Sequence, residues 1–269
     1  MGASPTSQRF AVVTGASSGI GYELAKQFAQ HGYDLVMAAE DPGINQAARD
    51  IEPLGAAVQA VQVDLATYDG VEQLYAAATA GGRQLDAVAI NAGVGVGGDF
   101  ARDTDLAAEL RLIDLNVTST VHLAKRVSRD MAARGNGRIL ITSSIAATMP
   151  GPYETVYAAS KAFDLSFAEG LRHELRDSGV SVTALMPGPT DTEFFERADL
   201  TDTKLGQAEK DDPATVAQEG FEALMAGKDK VVAGSMKNKV QAAAARVIPD
   251  PAKAQLHGKM SQPGSGDQR

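Results

Sequence analysis

The chain has 269 residues, 44% of them apolar, with a net charge of −9 and a pI near 5.0. This composition is typical of a globular protein, and the acidic balance argues against binding nucleic acid through a fold-wide positive surface. The absence of cysteine excludes disulfides, thiolate nucleophiles and cysteine-ligated zinc, and fits a reducing compartment. The longest uncharged stretch, 139–153, is too short and too polar for a membrane span, and no secretory signal is visible. We therefore expect a cytoplasmic protein.

From Arg9 onward, short β-branched runs alternate with longer stretches of helical periodicity. The predicted strands are 10–13, 35–37, 58–63, 87–90, 139–141, 180–185 and 230–233. The predicted helices are 20–30, 44–51, 71–78, 106–131, 155–175 and 214–226. This order predicts an α/β doubly wound fold, a mostly seven-stranded parallel sheet with helices on both faces. No Pro- or Ser-rich linker divides the chain, so we expect one domain over 9–235 after a flexible N-terminus, 1–8.

Two regions depart from this alternation. Residues 190–212 carry Phe194 and Phe195 followed by a polar stretch too long for an ordinary loop, which predicts a substrate lid. Residues 236–262 predict a basic helical extension, and the last residues, 263–269, a disordered tail.

The extension leaves two interpretations open. Its apolar residues share one helical face: Met236, Val240, Ala243 or Ala244, and Val247. Either this is a surface helix on the same domain or at a subunit contact, or its basic face docks on a membrane surface or a partner.

A glycine-rich loop follows the first strand and opens directly into a helix. It contains the candidate cofactor-binding residues Gly15, Ser17, Ser18, Gly19, Ile20 and Gly21. Glycines allow the backbone to approach a pyrophosphate closely, and the N–H groups at the helix start attract its charge. The two serines either donate to phosphate or are merely small turn residues. The spacing, with no Lys-Ser or Lys-Thr pair, argues against a P-loop phosphotransferase.

The end of the second strand should discriminate NAD from NADP. It reads Met37-Ala38-Ala39-Glu40-Asp41, with no Arg or Lys before Arg49. Because a carboxylate there repels a 2′-phosphate, the sequence favours NAD, unless Glu40 is only a solvated turn residue. Five more candidates for the cofactor pocket follow the third and fourth strands: Asp64 and Leu65, then Asn91, Ala92 and Gly93 of a small-residue turn. Asp64 can contact the adenine or can cap the next helix.

The most informative cluster is Ser144, Tyr157 and Lys161. A spacing of four puts Tyr157 and Lys161 on the same helix face, one turn apart. An ammonium there would lower the pKa of the phenol toward neutrality, which suits a proton donor and acceptor. Ser144, at the end of the fifth strand, can donate to an oxygen that gains negative charge.

Five ordered motifs between residues 9 and 235 make the chain resemble a short-chain dehydrogenase/reductase. They are the loop Thr14–Gly21, Asn91-Ala92-Gly93, Leu115-Asn116-Val117, the Ser144/Tyr157/Lys161 set and Pro187-Gly188-Pro189-Thr190-Asp191-Thr192. The resemblance implies a homodimer or homotetramer with nicotinamide as hydride carrier and a small carbonyl or alcohol compound as substrate. It also implies that Tyr157 is the acid/base, Lys161 lowers its pKa and holds the cofactor's ribose, Ser144 orients the carbonyl, and Asn116 fixes a water.

The same resemblance places Pro187, Gly188, Thr190 and Thr192 around the nicotinamide. The chain departs from the family at Ile90, where many members have Asn, and at Ala39, which fills the usual Asp position of NAD users. Glu40 stands where NADP users often carry Arg. The cofactor preference is therefore the property for which the family resemblance is the poorest guide.

The four histidines are scattered without ligand spacing, and we propose no metal site. We therefore predict an NAD(P)-dependent oxidoreductase that interconverts an alcohol and a ketone or aldehyde. The alternative is a non-catalytic protein that senses a dinucleotide and acts through its basic C-terminal helix. A nucleotide-dependent epimerase or dehydratase would normally need a larger substrate domain than the residues after Thr192 provide.

Overall fold

A computed structural model describes residues 8–245 and 248–267 and contains one seven-stranded parallel sheet. Its strands are β1 Arg9–Thr14, β2 Tyr33–Ala39, β3 Val58–Gln62, β4 Ala87–Ile90, β5 Gly137–Thr142, β6 Val180–Pro187 and β7 Lys230–Ala233. The spatial order β3-β2-β1-β4-β5-β6-β7 reverses direction between β1 and β4. In such sheets a crevice opens at the carboxyl ends of the strands at this reversal.

Helices cover both faces of the sheet, as the alternating pattern predicted. They are α1 Gly19–Gln30, α2 Ile44–Ile51, α3 Tyr68–Thr79, α4 Leu106–Ile113, α5 Ser119–Arg134, α6 Thr155–Glu174, α7 Phe194–Arg197, α8 Lys204–Gln207, α9 Pro213–Met225, α10 Met236–Ala244 and α11 Asp250–Ser261. One buried cluster joins the sheet to α1, α2 and α9, and a second joins it to α3, α5 and α6. Because both faces are covered, the central strands β1, β2 and β4 consist of nearly continuous apolar residues, whereas the edge strand β3 alternates with exposed glutamines.

The helix predicted over 106–131 is interrupted. A π-helical turn, Asp114–Thr118, separates α4 from α5 and contains Asn116. The hydroxyls of Ser119 and Thr120 donate to the carbonyls of Leu115 and Asn116, 2.5 and 2.8 Å away. These bonds satisfy carbonyl groups at the turn, where the regular helical ladder is broken.

The C-terminal extension is two helices rather than one, because Pro249 initiates α11 and cannot continue a preceding helix. Val247, the last residue of the predicted apolar face, lies outside the described residues, as do residues 1–7 of the predicted flexible N-terminus and 268–269 of the predicted tail. Residues 265–267 form a 3₁₀ turn, and Gly264 N donates to Asp202 Oδ2 at 2.6 Å. No helix within the described ranges is long and apolar enough to cross a bilayer.

The loops at the amino ends of β5 and β6 contact each other at Gly179, which lies just before β6. Gly179 and Gly135 both have φ of +74°, but a Cβ on Gly179 would overlap the carbonyl of Gly135, whereas a Cβ on Gly135 meets open space. We expect Gly135→Ala to lower the free energy of unfolding by about 1 kcal/mol through backbone strain alone. Gly179→Ala should cost about 1–3 kcal/mol more. Equal urea-denaturation midpoints for the two variants would contradict this.

Candidate active site

A cavity of about 990 Å³ opens at the carboxyl ends of the strands, where the sheet reverses. Its wall contains every residue that the sequence analysis assigned to cofactor binding: Gly15, Ser17, Ser18, Gly19, Ile20, Gly21, Glu40, Asp64, Leu65, Asn91, Ala92, Gly93, Tyr157, Lys161, Pro187, Gly188, Thr190 and Thr192. Ser144 also lines it, whereas Asn116 does not. A single continuous space therefore joins the glycine loop to the Tyr157 cluster.

The glycine loop is shaped by close backbone approaches. Gly15 and Gly19 adopt φ of +65° and +56°, and a Cβ on Gly15 would lie 2.9 Å from the Cα of Ala92. A Cβ on Gly21 would overlap the carbonyl oxygen of Gly15. Ser18, at the N-cap of α1, makes no side-chain capping bond. The loop thus presents backbone N–H groups at a helix start that borders the cavity, an arrangement suited to a pyrophosphate.

Asn91 joins the ends of three strands. Its amide Nδ2 donates to the Thr14 carbonyl at 3.2 Å, and its Oδ1 accepts from the Thr142 hydroxyl at 3.0 Å. The Thr14 hydroxyl in turn accepts from the backbone N–H groups of Asn91 and Ala92, at 2.9 and 3.0 Å. The side chain of Asn91 is therefore committed to positioning β1, β4 and β5.

Two carboxylates in the cavity wall, Glu40 and Asp64, pair with a cation that the sequence analysis missed. Arg111, on α4, places Nη2 2.7 Å from Glu40 Oε2 and Nη1 3.0 Å from Asp64 Oδ2. Its hydrogen bonds lower the pKa of Asp64. The sequence shows no Arg or Lys between Glu40 and Arg49, but Arg197, which lines the cavity, also lies 3.7 Å from Asp41. Only the tertiary fold brings together residues 71 positions apart.

Lys161 lies one turn after Tyr157 on α6, as predicted, but its ammonium has other partners. Nζ donates to the Thr142 carbonyl at 2.9 Å and to Asp164 Oδ2 at 3.1 Å. Lys161 and Asp164 are both buried, and burial raises the pKa of Asp164, which the neighbouring ammonium counteracts. Asp164 Oδ1 has no hydrogen-bond partner within the described part of the chain. Asp164 follows Lys161 by three residues, a helical spacing in the sequence that could have indicated this pair.

The pKa of Tyr157 is raised, not lowered as the sequence analysis expected. Removal of the phenol from solvent is the main cause, the charge of Glu154 adds to it, and a hydrogen bond with Ser144 opposes it. The ring keeps some accessible surface because it borders the cavity, where Phe194 lies 5.0 Å away between ring centroids. The expectation failed because desolvation dominates and because Lys161 is engaged by Asp164 and Thr142.

Asn116 is fully buried beside the cavity. Its Oδ1 accepts from Val94 N at 2.9 Å, and its Nδ2 donates to Val94 O and to the Ser160 hydroxyl, both at 3.0 Å. A Cβ on Gly93 would lie 3.2 Å from Asn116 Oδ1 and 3.3 Å from Lys161 Nζ. Asn116 and Lys161 therefore both pack closely against Gly93, where a side chain would crowd them.

The comparisons with known proteins identify the family. A family model described as short chain dehydrogenase matches residues 9–202. The chain belongs to this family of oxidoreductases, and the seven-stranded parallel sheet is the fold of its solved structures.

Curated relatives include an oxidoreductase UcpA from Salmonella typhimurium, 32% identical over 217 residues, covering 80% of this chain and 79% of the relative. A 1-deoxy-11-beta-hydroxypentalenate dehydrogenase from Streptomyces exfoliatus is 38% identical over 191 residues, covering 70% of each chain. A solved short-chain dehydrogenase from Sphingobium yanoikuyae in complex with NADPH is 30% identical, with a TM-score of 0.77 and coverage of 83% of this chain and 87% of that one.

Replacing Lys161 tests the buried ion pair. Lys161→Met leaves Asp164 buried without a counter-charge, so we expect the free energy of unfolding to fall by about 3–5 kcal/mol at pH 8. This loss of stability should become smaller as the pH falls. Burial raises the pKa of Asp164, so the folded variant binds a proton there at a pH at which the unfolded chain does not, and this uptake stabilises the folded state. The double variant Lys161→Met/Asp164→Leu should regain most of the loss. A loss below 1 kcal/mol in the single variant would contradict a stabilising pair.

Proposed function

We propose that the protein is an NAD(P)-dependent oxidoreductase that interconverts an alcohol and a ketone or aldehyde, with Tyr157 as acid/base. One observation carries the proposal: Tyr157 and Ser144 border the same cavity, and Lys161, which also borders it, follows Tyr157 by one turn of α6. The family membership of the chain and the NADPH complex of the Sphingobium yanoikuyae relative support it.

The cavity suits an extended dinucleotide. The backbone of the glycine loop, with Ser17 and Ser18, would hold the pyrophosphate, and Glu40, Asp64 and Leu65 would surround the adenosine end. Asn91, Ala92 and Gly93 would border the middle of the site. Pro187, Gly188, Thr190 and Thr192 would border the nicotinamide end, near Tyr157 and Lys161. When bound, the nicotinamide supplies or accepts the hydride.

The chain's own residues handle the proton. Tyr157 gives its proton to the substrate oxygen on reduction and takes it back on oxidation. The Ser144 hydroxyl oxygen accepts from Ala146 N at 3.1 Å, and its proton is directed to the Pro187 carbonyl over a long distance of 3.4 Å. The hydroxyl proton can therefore turn to the substrate oxygen and stabilise its developing charge. Asn116, whose Oδ1 lies beside Gly93 as Lys161 Nζ does, would fix a water that extends the proton path from the site.

The cavity wall also includes a set of apolar side chains from the segments around Tyr157 and from the C-terminal extension. They are Ile145, Met149, Phe194, Phe195, Leu205, Leu256 and Met260. Such a wall favours a carbonyl or alcohol compound with an apolar body, since burial of that body supplies binding energy. The name of the Streptomyces relative, a dehydrogenase of a hydroxypentalenate, is consistent with this class.

We also propose a homodimer or homotetramer. Exposed apolar side chains on neighbouring helices support it: Leu106, Leu110, Ile113, Val121 and Phe163.

Tyr157→Phe removes the proton donor while keeping the ring. We expect kcat for ketone reduction to fall by about 10²–10⁴-fold, with the dinucleotide dissociation constant nearly unchanged. A panel of aliphatic and alicyclic ketones, with cofactor binding measured by calorimetry, checks this. Tyr75→Phe is the matched control, because Tyr75 lies outside the cavity and donates to Asp130. Full turnover by the Tyr157 variant would refute the proposed role.

We propose a preference for NAD over NADP. The carboxylates of Glu40, Asp41 and Asp64 lie at the adenosine end. They outnumber the two guanidinium groups beside them, that of Arg111, which pairs with Glu40 and Asp64, and that of Arg197, which lies 3.7 Å from Asp41. The remaining negative charge would repel a 2′-phosphate.

Glu40→Ala should remove one carboxylate from the adenosine end and leave Arg111 paired with Asp64 alone, so that its guanidinium can also contact a phosphate. We expect the ratio of kcat/KM for NADP over NAD to rise about tenfold, since repulsion is removed and a charge-assisted contact becomes available. In Glu40→Ala/Arg111→Ala most of this gain should disappear. An unchanged ratio in the single variant would contradict the assignment.

A further inference from the structure

Helix α11 lies at the mouth of the cavity, although it follows the residues matched by the family model. Leu256, His257 and Met260 contribute to the cavity wall. These three residues fall on one side of the helix, at spacings of one and three. The C-terminal extension is thus part of the candidate site.

A buried pair joins α11 to the start of α6. Glu154 Oε2 lies 3.0 Å from His257 Nε2, and the two residues are only 3% and 8% exposed. Both line the cavity, and Glu154 precedes Tyr157 by three residues. A buried carboxylate without a partner is costly, so each side chain constrains the place of the other. The charge of Glu154 also raises the pKa of Tyr157.

Further contacts tie α11 to the loop between β5 and α6. Lys253 Nζ donates to the Thr148 carbonyl at 3.2 Å. A Cβ on Gly258 would lie 3.5 Å from Pro152, and one on Gly151 would lie 3.5 Å from His257 Nε2. The helix therefore packs closely on the loop that carries Ser144 at one end and Glu154 at the other.

The other side of α11 contacts the predicted lid. The helix packs against α8, and the Ser265 hydroxyl that follows it accepts from Lys204 N at 3.0 Å. The N–H groups of Gly264 and Gly266 donate to Asp202 at 2.6 and 2.8 Å. Helix α11 thus connects the two segments that border the substrate end.

We propose that α11 is the outer wall of the substrate pocket, that Glu154 and His257 are the positioning pair that holds it there, and that Leu256 and Met260 select the apolar body of the substrate. This inference rests on the proposed oxidoreductase function and names a segment that determines its specificity.

Three variants of the full chain test the pair. In His257→Ala the helix loses its buried partner, so KM for cyclohexanone or 2-decalone should rise about tenfold while the cofactor dissociation constant stays unchanged. His257→Gln keeps a donor near the position of Nε2 and should restore most of the affinity. Lys259→Ala, an exposed change on the same helix, should behave as wild type.

The two apolar residues are tested by substrate size. Leu256→Ala/Met260→Ala enlarges the pocket, so kcat/KM for 2-decalone relative to cyclohexanone should rise about tenfold. An unchanged ratio would refute their selective role.

Hydrogen exchange of the α11 amides, measured without substrate, provides a readout that needs no turnover. We expect faster exchange in His257→Ala and wild-type exchange in His257→Gln and Lys259→Ala. If wild-type protein reduces no ketone while this pattern holds, the proposed function fails but the docking of α11 stands. If His257→Ala changes neither exchange nor KM, the positioning pair is refuted even in an active enzyme.

Discussion

The site depends on the hydrogen bonds of Asn91, because they tie the carboxyl ends of β1, β4 and β5 to one another beside the cavity. Parallel strands that end together leave backbone groups which need partners once they are removed from water. The amide of Asn91 and the hydroxyl of Thr14 provide those partners with few atoms. The space above them remains open, and the cavity occupies it.

The active-site helix shows how burial governs proton chemistry in this protein. Solvent exclusion raises the pKa values of both Tyr157 and Asp164, and in each case it outweighs a neighbour that favours the charged form. For Asp164 that neighbour is Lys161, and for Tyr157 it is the Ser144 hydroxyl. A cation one turn away is therefore insufficient to fix the proton affinity of a phenol. The surrounding dielectric and the other partners of the cation decide the result.

The sequence predicted the features that depend on local pattern. Buried parallel strands are recognisable as apolar runs, and the glycine loop is recognisable by its composition. The relation of Tyr157 to Lys161 follows from their helical spacing. It did not predict contacts between distant segments, such as Arg111 with Glu40 or His257 with Glu154, because no periodicity reports them. The pair of Asp164 and Lys161 was only partly predictable from the sequence. Its helical spacing was visible there, but the burial of Asp164 was not.

The π-helical turn around Asn116 has a consequence for protein engineering. It contains more residues per turn than the α-helices on either side, and hydrophobic patterning alone would replace it with a straight, regular segment. Deleting one residue to regularise this stretch would rotate the amide by about 100° away from Val94 and Ser160. A redesign that selects for ideal backbone geometry would therefore remove the π-helical turn that directs the Asn116 amide toward the interior.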